Sequence, residues 1–196
     1  MNVLKTLLAG AALAASAAGA NAATYYADKV ISSEMGDCYS NAGLPMGCAG
    51  VRSDTSNALG AANGLFYSMG FGGTLVVGFA QPLFDAANDV AAFEITYDRE
   101  KGHDEAVDVY SVLGGVETYL GRLLNNVASS SVRATTAFEH IKLVDVTGEE
   151  FPNTSSNDGF DVDSVSIAAV PLPAAGLMLL AGLGGLAALR RRKTAA

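Results

Sequence analysis

Val107-Asp-Val-Tyr-Ser-Val-Leu-Gly-Gly-Val-Glu-Thr-Tyr-Leu-Gly121 is the stretch on which the fold turns. Val107 and Val109 alternate with Asp108 and Tyr110, the two-residue period of a strand with one dry face. Gly114-Gly115 then supplies a turn with positive φ, and Val116-Glu117-Thr118-Tyr119-Leu120 returns as the partner strand. The stretch therefore predicts a β-hairpin.

The same grammar recurs on either side of the hairpin. Gly72-Gly73 introduces Thr74 to Phe79, with Leu75, Val77 and Phe79 on one face. Ala92 to Asp98 alternates, and the aromatic content places Phe93, Ile95 and Tyr97 inward with Glu94, Thr96 and Asp98 outward. His140 to Val146 and Phe160 to Ile167 read as further strands, and Thr24 to Ile31 as a strand entering the domain. Ser53 to Gly64 is a polar, glycine-rich connection without a period. Gln81 to Val90 has room for one short helical turn, and no stretch between residues 23 and 169 carries an apolar stripe of helical length. Short strands punctuated by Gly, Asn and Asp predict an all-β fold, a single β-sandwich.

The two ends of the chain read differently. Lys5, the apolar run Thr6 to Ala18 and the small-residue exit Ala20-Asn21-Ala22 make residues 1–22 a secretory signal peptide. At the other end, Val170-Pro171-Leu172-Pro173-Ala174 leads into an apolar run over residues 174–189. Arg190, Arg191, Arg192 and Lys193 follow at once, a membrane stop of the kind that stays on the cytoplasmic side. Those 16 apolar residues would make a helix of roughly 24 Å, short of the roughly 30 Å hydrocarbon core. Such a span suits a temporary membrane anchor. A plain single-pass anchor with a proline hinge accounts for the same residues.

Residues 23–169 are then the ectodomain, long enough for one domain with a real core. All 20 Asp and Glu of the chain lie there, against seven of its 12 Lys and Arg. So acidic a surface repels nucleic acid and anionic headgroups, and favours solubility outside the cell or divalent cations.

The VPLPA motif, the Gly/Leu/Ala-rich segment and the terminal arginine cluster, in that order, resemble the PEP-CTERM class of bacterial sorting tails in its VPLPA variant. The resemblance covers residues 170–196. It implies export, transient insertion in the inner membrane, recognition of residues 170–174 by an exosortase-type processing enzyme, and a final place at the cell surface or outside the cell. It also implies an association with exopolysaccharide or biofilm. A second resemblance spans roughly Leu65 to Ile167. GGTLVVGF, NDVAAFEIT, VDVYSVLGGVETYLG and SNDGFDVDSVSI look like the β-sandwich of many PEP-CTERM proteins, itself similar to the galactose-binding-like jelly roll. It departs from that pattern in having Gly114-Gly115 at the hairpin turn and no Trp anywhere. This second resemblance allows a carbohydrate-binding module of the envelope.

Cys38 and Cys48, the only cysteines, enclose a Gly/Pro/Asn-rich loop and predict one local disulfide in an exported chain. Two cysteines are too few for a structural zinc site. Asn157-Asp158-Gly159-Phe160-Asp161-Val162-Asp163 is the constellation with the most chemistry. The apolar parity switches between Phe160/Val162 and Val165/Ile167, which predicts a bulge near Asp163-Ser164. Asp158, Asp161 and Asp163, joined by Asp145 or Glu94 from another strand, could hold Ca²⁺ through hard oxygen ligands. The spacing is not that of an EF-hand, and an acidic turn leading into an edge strand accounts for the same residues. Glu149-Glu150 and the run Arg99 to Glu105 read as solvated loops. Neither His103 nor His140 has sequence partners for catalysis, and no nucleophile or zinc-protease motif occurs. The expected function is a non-enzymatic surface or matrix protein, with a carbohydrate-binding module as the alternative and a hydrolase behind both.

Overall fold

A computed structural model describes residues 23–40, 43–48, 50–95 and 101–169. The signal peptide, the VPLPA motif, the apolar run and the arginine cluster lie outside the described residues. Among those described, no helix is long and apolar enough to cross a membrane.

Residues 23–169 form one compact unit of antiparallel strands. In chain order these are β1 (Thr24–Tyr26), β2 (Lys29–Glu34), β3 (Cys38–Tyr39), β4 (Pro45–Met46), β5 (Tyr67–Ser68) and β6 (Thr74–Gly78). Then come β7 (Asp89–Glu94), β8 (Ala106–Leu113), β9 (Val116–Leu124), β10 (Ser129–Arg133), β11 (His140–Asp145) and β12 (Asp161–Ala168). One five-stranded sheet runs β1-β12-β7-β10, with β5 also pairing β12. The other runs β2-β6-β11-β8-β9. Leu75, Val77, Val107, Val109, Ile141 and Leu143 from the second sheet share one buried core with Val90, Ala92, Val162, Val165 and Ile167 from the first. The all-β sandwich read from the sequence is the fold.

The hairpin forms as predicted. β8 and β9 pair from Ala106↔Leu124 to Leu113↔Val116, and Gly114 and Gly115 take φ of 56° and 81° at the turn. Glycine adopts two such values in succession without strain. The predicted bulge is also present: the register of β12 against β7 shifts between Val162 and Ser164. At one end of the core Phe84 stacks on Phe138 and meets Phe79 and Tyr25 edge-on, with ring centroids 5.3–5.4 Å apart. Each fully buried phenylalanine contributes about 2–3 kcal/mol of apolar transfer.

Five expectations need correction. The entering strand breaks at the fully buried Ala27, so β1 joins the first sheet and β2 the second. The loop from Ser53 to Gly64 contains a 3-10 turn over Thr55–Ala58, with Asp54 accepting from the Ser56 N–H as its cap. Another 3-10 turn, Gly50–Ser53, precedes it. Gln81 to Val90 holds no helical turn but a bridge between Phe84 and Phe138, and the one α-helix among the described residues, α1, is Thr147–Glu150. The acids expected in loop there, Glu149 and Glu150, are exposed on α1, and Glu150 pairs with Arg122.

The fifth correction bears on the site. On β7 the buried residues are Val90, Ala92 and Glu94, while Ala91 and Phe93 are half-covered. The parity is the reverse of that read from the aromatic residues. Val90 and Ala92 sit against the opposing sheet, and a strand with a fixed register sends every second side chain the same way. Glu94 is therefore drawn inside.

Candidate functional site

Two features adjoin one another around the loop 151–159. The first is an open groove of about 810 Å³. Tyr39, from the disulfide-bearing hairpin β3–β4, and Phe71 stand edge to face at 5.5 Å in its lining, and Phe151 follows α1. Cys38 and Cys48 are bonded, as expected, and the bond ties the hairpin together beside Tyr39. Ser40, Thr154, Ser155 and Asn157 supply hydroxyl and amide groups. None of the eleven lining residues carries a charge.

Backbone bonds hold the groove wall in place. The Tyr39 N–H donates to Asn157 O at 2.7 Å, the Ser155 N–H to Gly102 O at 2.8 Å, and the Gly70 N–H to Asp158 O at 2.8 Å. The Thr154 hydroxyl donates to Asp104 O at 2.7 Å. The loop lacks regular structure, yet these bonds tie it to three segments distant in sequence.

The second feature lies behind that wall. Glu105, at the start of β8, and Asp158 and Asp161, at the start of β12, each bring a carboxylate oxygen within 4.8 Å of the others. Glu105 and Asp161 are buried and Asp158 is half-covered. The Ser68 hydroxyl on β5 contacts both Asp161 and, at 3.1 Å, Asp158. The Ser156 hydroxyl donates to Glu105 Oε1 at 2.7 Å, and Ser156 also lines the groove. His103 Nε2 stands 2.9 Å from Glu105 Oε1, and Arg52 Nη1 lies 2.8 Å from Asp158 Oδ2.

The electrostatics follow from this crowding. Burial, then the negative charge of Glu105 and Asp158, pushes the Asp161 carboxyl up to about 9. The hydrogen bond to Glu105 raises His103 above its usual value against the opposing effect of burial. Burial likewise raises Asp145, although hydrogen bonds from Phe160, Thr147 and Gly72 oppose it.

The four aspartates read as a calcium set therefore divide. Asp158 and Asp161 meet, with Glu105 as their third member. Asp163 turns at the bulge to accept the N–H groups of Asn63 at 2.9 Å and Gly64 at 3.0 Å. Asp145 accepts from the N–H groups of Phe160, Gly72 and Thr147 and from the Thr147 hydroxyl. Both clamp loops through backbone donors. Glu94, buried on β7 near Val162, adds its charge to the field on Asp161.

The burial of Glu105 corrects the expectation of a solvated run from Arg99 to Glu105; Arg99 and Glu100 lie outside the described residues. The signal was available. Extending the inward parity of Val107 and Val109 backward by two residues lands on Glu105, as extending that of Val90 and Ala92 forward lands on Glu94. The groove had no such signal, because its wall comes from three segments far apart in sequence.

The sequence matches no protein-family profile and no curated protein. Among solved structures, similarity extends to a family 32 carbohydrate-binding module of EndoD from Streptococcus pneumoniae. It is 10% identical, aligned over 72% of this chain and 95% of that one, with a TM-score of 0.49. CBM32-3 from a family 31 glycoside hydrolase of Clostridium perfringens is 11% identical over 74% and 91%, TM-score 0.47. The family 32 module of C. perfringens NanJ, solved in complex with galactose, is 13% identical over 74% and 92%, TM-score 0.41.

Proposed function

We propose that the chain is an exported, non-enzymatic surface protein whose sandwich binds carbohydrate in the groove between Tyr39, Phe71, Phe151 and Asn157. The observation that carries this reading is the chemistry of the lining: aromatic rings beside neutral hydroxyl and amide groups, with no charge, on a strongly acidic molecule. A sugar offers both an apolar C–H face and a rim of hydroxyls, and such a groove meets each with its like. An ionic ligand would find no counter-charge in that lining.

A glycan array of neutral polysaccharides, followed by titration of any hit, tests this. Saturable binding is expected, lost at least tenfold in Phe151→Ala and in Asn157→Ala while the melting temperature holds. Binding that survives both substitutions, or no binding at all, overturns the reading.

The order of signal peptide, sandwich, VPLPA motif, apolar segment and basic cluster supports a route as well. In this proposal the chain is exported, held briefly in the inner membrane, and processed at residues 170–174 by an exosortase-type enzyme before reaching the surface or an exopolysaccharide matrix. Pro171→Ala with Pro173→Ala should leave an unprocessed, membrane-retained species. Normal maturation of that variant would refute the sorting role.

A further inference from the structure

We infer that Glu105, Asp158 and Asp161 form a binding site for a hard divalent cation, of which calcium is the one to test, lodged behind the groove wall.

Three observations converge on it. The first is spacing: the three oxygens lie within 4.8 Å of one another. A calcium ion holds its oxygen ligands at about 2.4 Å, so ligands on opposite sides of it stand about 4.8 Å apart. One ion can reach all three.

The second is an oxygen with nothing to bind. Asp161 is 1% exposed, and its Oδ2 has no hydrogen-bond partner. Its Oδ1 contacts Ser68, but that hydroxyl has a single hydrogen and faces Asp158 as well. One donor is thus shared by two carboxylates. Leaving a buried carboxylate oxygen unsatisfied is costly, and such atoms are rare in native proteins.

The third is the chemistry of the donors. Glu105, Asp158 and Asp161 place three carboxylates in one partly dry volume. The donor set is entirely oxygen, with the Ser68 and Ser156 hydroxyls close by, which suits calcium or magnesium and not a soft metal.

The position gives the ion a role. Asp158 is continuous with Asn157 of the groove, and Ser156 joins the groove to Glu105. A cation there would pin the loop 154–158 to the starts of β8 and β12.

The test uses the metal alone, with the full chain kept soluble in a non-ionic detergent and stripped with EDTA. Calorimetric titration should show one saturable Ca²⁺ site. At a hundredfold excess over Kd the melting temperature should rise by roughly 5–10 °C. Terbium should show luminescence sensitised by tyrosine, with Tyr67 adjacent to Ser68, and Ca²⁺ should displace it. Asp161→Asn, a neutral isostere, and Glu105→Gln should each weaken Ca²⁺ binding at least tenfold. Asp161→Asn should melt no lower than wild type in EDTA, because a neutral isostere removes the cost of burying that acid beside two other carboxylates. Asp163→Asn should retain the calcium response. The inference falls if wild type binds neither Ca²⁺ nor Tb³⁺, or if Asp161→Asn and Glu105→Gln bind as wild type does. It falls too if magnesium, calcium and plain ionic strength shift the melting temperature equally, since that is screening. Because no sugar is present, the result stands apart from the fate of the carbohydrate reading.

Discussion

Replacing Asp163 separates two roles that its sequence position confuses. In the structure this carboxylate is 1% exposed and both its oxygens are occupied, by the N–H groups of Asn63 and Gly64 at 2.9 and 3.0 Å. Hydrogen bonds with an ionised acceptor contribute about 1.5–3 kcal/mol each. Losing both would cost about 3–6 kcal/mol if the donors stayed dry. Asn63 and Gly64 are exposed residues, so water can reach the freed N–H groups and recover part of that loss. Asp163→Ala should therefore destabilise by about 2–4 kcal/mol, and Asp163→Asn, which keeps one acceptor, by about 1–2 kcal/mol. Urea unfolding measures both, with an unchanged slope showing that the same surface is exposed. A loss below about 1 kcal/mol in Asp163→Ala would refute the clamp. So would an Asn variant that is as damaged as the Ala variant. If Asn alone abolished a calcium-induced shift, the residue would be a ligand after all, as its spacing from Asp161 suggests.

Two further outcomes follow from the same geometry. In EDTA the folded protein should lose stability as pH rises from about 4 towards about 9. Asp161 is pushed up to about 9 in the fold and ionises at its ordinary value when unfolded, so the native state binds the extra proton throughout that window. Its slope approaches about 1.4 kcal/mol per pH unit at most, and Asp161→Asn should flatten it in thermal melts. Gly73→Ala should prevent folding or cost at least about 3 kcal/mol by urea titration, because its Cβ would stand 1.9 Å from the carbonyl oxygen of Met69.

The legible parts of the fold were those in which one short segment carries its own answer. The β8–β9 hairpin has its period and its two glycines within fifteen residues, and the β12 bulge shows as a parity switch within eight. The disulfide needed only its two cysteines. Failures occurred where the partner decides. Phe93, Ile95 and Tyr97 form the stronger apolar series, yet Val90 and Ala92 face the opposing sheet and carry Glu94 in with them. Ala27 gives no hint that the chain crosses from one sheet to the other beside it. The acid cluster was half visible: Asp158 and Asp161 share a turn, but Glu105 arrives from the other sheet, and its charged neighbours disguised it as surface. The groove was invisible, because Tyr39, Phe71 and Phe151 meet only once the sandwich has closed.

The pairing of β1 with β12 has a consequence in time. Thr24 lies opposite Ala168, and the Ala169 N–H donates to Ala23 O, so the first strand of the unit is completed by the last. A chain that crosses a membrane from its N-terminus delivers β1 early and its partner at the end. Until β12 emerges, β1, β5 and β7 lack the strand that joins them, and the first sheet cannot close. Contacts this distant in sequence are slow to form and leave strand edges exposed meanwhile. The first sheet thus closes only once its last strand is available, which on the proposed route would make its completion a late event in export.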